Sequence, residues 1–405
     1  MKFKFKAQKA DGEIYEGEKE AIDKFTLYKE LKRGGEAVLS ASPVEAKRSW
    51  NISHFIKFFG RIKTHEKIIF ARNLGAMLEA GLALSRALSV LERQSKKEKL
   101  KELFKSLNET VSKGKTLSEA LSGYPTLFSS LFISMVKAGE ESGGLAGSLK
   151  TVSNQMDAMY DLERKVRGAM IYPAVIFSVM IAIGALMMIF VVPTLTATFR
   201  DINAELPFST KIVIGISDFL RDHTLLGIGI LIAVVALAYS FLKTKIGKRS
   251  ADFTLLHIPL VSTLVKETNT ARTARTLSSL LYAGVPITKA IQITGEVLQN
   301  SYYKEVLQKA QASIEKGAPM SGTFMEREDL YPVFLAEMLS VGEETGKISE
   351  MLAGVGTFYE DEVSQKTKNM STIIEPFLMI LIGTFVGFFA VAMISPMYSV
   401  MDSVG

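Results

Sequence analysis

The sequence predicts an all-α membrane protein: two homologous cytoplasmic helical bundles, three transmembrane helices and a small α+β module at the N-terminus. Three observations predict it. The chain repeats itself at one fixed offset: residues 70–81 read FARNLGAMLEAG and residues 273–284 read TARTLSSLLYAG, so Arg72 falls on Arg275, an offset of 275 − 72 = 203. The same offset carries Gly114 onto Gly317, Pro173 onto Pro376 and Pro193 onto Pro396. A repeat held over such a length means a duplicated structural unit. Next, the stretches 169–192, 225–242 and 372–395 are each long and apolar enough to cross a bilayer, which takes ~20 residues. Finally, 405 residues that are 48% hydrophobic and 22% charged are too apolar for an ordinary soluble chain and too charged for one lying wholly in lipid.

The elements follow in order. Residues 1–40 form a small N-terminal module. Phe3 and Phe5 alternate with Lys2, Lys4 and Lys6, which is strand periodicity, and Asp11-Gly12 signals a turn to a second strand near 13–18. Residues 21–33 read as a helix stopped by Gly34-Gly35, and EAVLSA (36–41) as a further strand. With no apolar run behind its lysines, the N-terminus is expected to stay cytoplasmic. Residues 41–64 are a linker or an amphipathic segment, with Trp50, Phe55 and Phe58 set among Lys57, Arg61 and Lys63.

Residues 65–168 are the first helical bundle, with Leu74, Leu78, Leu84, Leu88 and Leu91 at helical spacing. Gly81 marks a corner, Gly114 caps a Lys-rich helix end, and Thr116 with Glu119 reads as a capping box. The first span (169–192) leads to an extracytoplasmic loop (193–224) and a second span (225–242). The second bundle occupies 243–371, the third span 372–395, and the outer tail 396–405. The duplication itself requires the middle crossing: two equivalent bundles on one side of a membrane need a return between them. Arg164, Lys165 and Arg167 before the first span, Lys243, Lys245, Lys248 and Arg249 after the second, and Lys366 and Lys368 before the third put both bundles in the cytoplasm.

Several chemistries are excluded. There is no Cys, and His54, His65, His223 and His257 form no metal-binding spacing, so no metal site is predicted. The net charge of +6 is spread over helix faces and membrane flanks without interleaved aromatics, which speaks against nucleic acid. Gly114-Lys115-Thr116 imitates the end of a P-loop, but Glu109 stands where that loop needs Gly; in 342–347 Ile348 replaces the required Ser or Thr. Acidic side chains would repel the phosphate that such a loop cradles. No cofactor and no catalytic constellation is expected, so the chain is not read as an enzyme.

One motif stands out. Gly139, Glu140, Glu141 and Gly143 recur as Gly342, Glu343, Glu344 and Gly346. Glycines suit helix ends, but carboxylates there oppose the helix dipole by roughly 0.3–1 kcal/mol each. A compensating partner is expected: a Lys or Arg of the bundle, a divalent cation, or a basic surface of another protein. Pro173 and Pro376 each remove a backbone hydrogen bond at the same point of a span, predicting a kink where it enters the membrane. Glu375, the one acid inside a span, lies about one turn from the cytoplasmic edge and can reach the headgroups. Gly184, Gly383 and Gly387 permit close helix packing and suggest a homo-oligomer.

The opening FKFKAQKADGEIYEGE, with FARNLGAMLEAGLALSRAL, VKAGEESGGL and AMIYPAVI, echoed by LSVGEETGKI and IIEPFLMI, resembles the type II secretion F / PilC family across essentially the whole chain. The resemblance implies a non-enzymatic platform in the bacterial inner membrane, at the base of a type IV pilus or type II secretion machine. It implies a homo-oligomer in membrane lipid, working with other inner-membrane components of the machine. Its helical domains would engage a separate cytoplasmic ATPase, and its membrane part would help move pilin or pseudopilin into a filament. The rival is a membrane transporter built from parallel repeats. Transporters place polar groups and broken helices at the bilayer midplane, whereas these spans are aliphatic there.

Overall fold

The computed structural model describes residues 2–8, 14–21, 26, 31–32, 37–43, 62–201, 208–259 and 261–404. The chain divides into two units, 1–61 and 62–405. In the first, β1 (Lys2–Gln8) lies between β2 (Ile14–Glu20) and β3 (Ala37–Pro43), antiparallel to both. Alternation along β1 buries Phe5 and Ala7 against Leu31 while Lys6 faces out. Most of the helix expected at 21–33 and of the linker expected at 41–64 lies outside the described residues; Thr26, Leu31 and Lys32 are helical.

The second unit is helical throughout. Its first copy comprises α1 (Thr64–Glu79), α2 (Leu84–Gln94), α3 (Glu98–Ser112), α4 (Leu117–Ser122), α5 (Ser130–Glu141) and α6 (Leu145–Leu186). A π-helical segment, Met187–Val191, follows, then α7 (Val192–Asp201), α8 (Phe208–Asp222), α9 (Thr224–Lys243) and α10 (Lys245–His257). The second copy comprises α11 (Val261–Tyr282), α12 (Ile287–Val297), α13 (Ser301–Glu315), α14 (Met320–Met325), α15 (Val333–Thr345) and α16 (Ile348–Val404).

Adding 203 to the bounds of α2, α3 and α4 gives the bounds of α12, α13 and α14 to the residue, and Leu145, where α6 starts, becomes Ile348, where α16 starts. The corners repeat as well. Gly81, Gly114 and Gly143, with Gly284, Gly317 and Gly346, all hold φ between 72° and 85°. That region is open to glycine and costly for other residues, so each copy turns its three corners the same way. Inside each bundle the first helix packs on the long one, α1 on α6 and α11 on α16. One apolar core runs through both copies, from Phe70, Leu74 and Phe132 to Leu277, Phe324 and Tyr331.

Among the described residues, two helices are long and apolar enough to cross a membrane: the run Leu145–Ala197 that begins as α6, and α16 over Ile348–Ala392. The third expected span falls on α9, a separate 20-residue helix, of which Ile232–Lys243 is apolar among the residues whose side chains are described. Pro173 stands inside α6, which runs on as helix from Leu145 to Leu186. A π-helical departure from α geometry follows at Met187–Val191.

The stretch expected as a loop, 193–224, is instead largely helical. Its longer helix is α8, which is amphipathic. Val213 and Ile214 are buried against Val192, Phe389 and Ala392. Its hydroxyls serve the ends of the long helices: Thr210 Oγ1 donates to the Ala392 carbonyl at 2.6 Å and Ser217 Oγ to the Met188 carbonyl at 2.6 Å. The widened π turn frees carbonyls of this kind, and Ser217 satisfies one of them. The tail expected after 395 continues as helix to Val404.

Candidate functional site

The short helix α4 exposes its first N–H groups toward the end of α5, and Glu140 occupies the space between them. Its Oε1 accepts from Leu117 N at 2.5 Å and its Oε2 from Ser118 N at 3.0 Å. Thr116 Oγ1 accepts the next donor, Glu119 N, at 3.2 Å. Three of the four unpaired donors at this helix start are thereby met. Of the capping box expected at Thr116 and Glu119, the threonine half forms, while Glu140, from a different helix, serves the two N–H groups in between.

The second copy repeats the device by other means. Pro319 stands where Thr116 would fall and offers no side-chain acceptor. Glu343 Oε1 accepts from Met320 N at 2.6 Å, and Oε2 accepts both Ser321 N at 3.3 Å and Ser321 Oγ at 2.6 Å. The serine hydroxyl adds a bond that Ser118, turned toward Thr116, does not give in the first copy.

This geometry supplies a partner for the first acid in each motif that the sequence reading did not name. Among the described residues, Glu140 and Glu343 are met by backbone N–H groups rather than by a Lys or Arg side chain. Each sits at the C-terminal end of its own helix but points into the positive N-terminal end of a neighbouring one. Hydrogen bonds to a charged acceptor contribute about 1.5–3 kcal/mol each, which outweighs the few tenths lost to the dipole of its own helix. The second acids take no part in this. Glu141 and Glu344 are exposed, with Lys137 Nζ 3.7 Å from Glu141.

The glycines divide the work. A Cβ on Gly139 would stand 2.4 Å from Ser148 Oγ, and one on Gly342 2.8 Å from the Ile348 Cα. The first glycine of each motif therefore lets the end of α5 or α15 press against the start of the long helix that follows. The last glycine, Gly143 or Gly346, reverses the chain with φ at 72°. Glutamate, close crossing and reversal together lock three helices at each corner. The two motifs stand at equivalent places in separate bundles, and Pro173 and Pro376 lie in the apolar lengths of α6 and α16, away from both.

A second repeated contact escaped the sequence reading. Arg72 Nη2 meets Asp157 Oδ2 at 2.6 Å, and Arg275 Nε lies 3.6 Å from Glu360 Oε1. The offset carries 72 to 275 and 157 to 360, so the signal was available: an acid of either length, conserved in charge between the copies. In the second copy burial pushes the Glu360 carboxyl up, and Arg275 only partly offsets it.

Comparison with known proteins adds to this geometry. The family described as Type II secretion system (T2SS), protein F matches the chain twice, at residues 70–193 and 273–396. The chain belongs to the type II secretion system protein F family. The two matched segments stand 203 residues apart at both ends, as the duplicated helices do. Among similar proteins is the type IV pilus assembly protein PilC of Thermus thermophilus, 32% identical over 83% of this chain and 82% of its own length. The type IV pilus assembly protein TapC of Aeromonas hydrophila is 30% identical over 100% of this chain and 96% of its own. The type II secretion system protein F of Pseudomonas aeruginosa is 26% identical over 100% and 99%. Membership of the protein F family extends beyond the two matched segments, since relatives of both kinds align along the whole chain.

Proposed function

We propose that this chain is the inner-membrane platform of a type IV pilus or type II secretion machine. In that role it couples a separate cytoplasmic assembly ATPase to the insertion of pilin or pseudopilin into a filament, as a homo-oligomer and without catalysis of its own. The observation that carries the reading is the double family match on a chain whose full-length relatives are named for pilus assembly and for type II secretion.

The physical features support a platform with both bundles in the cytoplasm. α9 exposes apolar side chains on every side, among them Ile232, Val235, Leu237 and Phe241. A helix apolar all round fits lipid rather than water, which supports its reading as the return crossing. Three crossings then leave the N-terminus inside and the end of α16 outside. The corners built on Glu140 and Glu343 give each bundle a rigid surface through which force can pass to the long helices continuous with the spans.

Co-purification from native membranes tests the role. A tagged chain is expected to retain a cytoplasmic ATPase and a pilin-like subunit. Solute flux through liposomes holding the purified chain, with neither partner recovered, would establish the transporter instead.

A further inference from the structure

The two bundles of one chain meet through unlike faces. The first copy contributes α5 and α6, the second α11 and α12, and the long helices α6 and α16 also pack on each other. At the centre Gln155, 1% exposed, donates from Nε2 to Thr276 Oγ1 at 3.2 Å and accepts from Ser279 Oγ at 2.9 Å. Leu131, on α5, is buried as well and lines a cavity with Val297 of α12. Among the described residues, no comparable contact joins α15 and α16 of the second copy to α1 and α2 of the first. A joint between unlike faces leaves one of each kind unused.

The offset of 203 identifies what those unused faces carry. Gln155 and Leu131 become Phe358 and Phe334, which are 48% and 39% exposed and meet edge to face with ring centroids 5.2 Å apart. Thr276 and Ser279, buried at the joint, correspond to Asn73 and Ala76, both exposed on α1. The charges change in a complementary way. At the intrachain joint Pro125 and Glu296 line one cavity. Their counterparts are Glu328 and Arg93, both exposed and opposite in sign.

We propose that the α15–α16 face of one protomer docks on the α1–α2 face of a second copy of this chain, repeating between molecules the joint that the two bundles make within one. Phe358 then takes the place of Gln155 against Asn73 and Ala76, and Arg93 faces Glu328. The proposal deepens the oligomeric platform reading and rests on it. An interface between unlike faces closes into a ring or continues as an open array. With every bundle on one side of the bilayer, the repeated rotation is about the membrane normal, and the assembly is a ring or arc in which first and second copies alternate.

Because the chain has no Cys, one introduced thiol reports its own neighbourhood. Two populations with different tags, one carrying Phe358→Cys and the other Ala76→Cys, are co-expressed, reconstituted in lipid nanodiscs without other machine components, and mildly oxidised. The expected product is a disulfide-linked pair bearing both tags, with none formed when Lys101→Cys replaces Ala76→Cys. Glu328→Arg in the first population is expected to lower the yield about tenfold, and Arg93→Glu in the second to restore it. Absence of mixed-tag pairs, or pairs made only of two Phe358→Cys chains, would overturn the proposal. Such a failure leaves recovery of the ATPase unaffected, so it is distinguishable from failure of the platform reading.

Discussion

Glu140 and Glu141 are adjacent and chemically identical, and their surroundings make them unequal. Glu140 receives two backbone donors from α4, while Glu141 stands in solvent. Glu140→Gln keeps one acceptor and loses the charge, so it is expected to destabilise the first bundle by about 1–3 kcal/mol. Glu141→Gln is expected to stay within about 0.5 kcal/mol of the parent. Chemical unfolding of the purified chain in detergent checks both; equal effects would refute the assignment. That a glycine-flanked acid pair recurs was legible in the sequence. That its partner is a helix N-terminus was not, because the donors are backbone groups, which every residue carries and no side-chain pattern reveals.

At the scale of elements, the long helices are two-part devices. In its lower length α16 binds its bundle through Leu352, Val355 and Val363, and in its upper length it exposes Phe377, Ile380 and Val386. Glu360 lies in the bundle part. Burial raises its carboxyl above the ordinary value of 4.5, with Arg275 opposing. The folded chain therefore holds that proton more tightly than the unfolded chain. The contribution to stability is largest in acid and is lost as pH rises from 4.5 through the raised value. Glu360→Gln should remove this loss. In thermal melts of the chain in detergent, the variant should gain on the parent as pH rises above 4.5. A parent advantage that grows with pH would show that the pair with Arg275 dominates instead. The bounds of α2, α3 and α4 follow from periodicity and corner glycines, so their repetition in the second copy was predictable. The helix α8 was not, since its apolar stripe gains meaning only once the ends of α6 and α16 are there to cover it.

On the scale of the whole molecule, the duplication makes the proposed topology testable. If 224–243 crosses the membrane, Lys101→Cys and Lys309→Cys in intact spheroplasts should resist an impermeant thiol reagent until lysis, while Asp222→Cys should react at once. Reaction of Lys309→Cys before lysis would place the second bundle outside and remove the middle span. The same duplication explains why the chain is asymmetric despite its repeat: the copies meet through unlike faces, so residues at equivalent positions are buried in one copy and exposed in the other. Gln155 and Phe358 share a place in the repeat, and one is sealed in the joint while the other faces outward. The sequence by itself determined the repeat, its corners, the apolar lengths of its two long helices and its family, because these are properties of spacing and composition along the chain. Only the tertiary structure decided which carboxylate closes which helix and which copy of each face is covered, because those outcomes depend on groups brought together across distances that spacing does not encode.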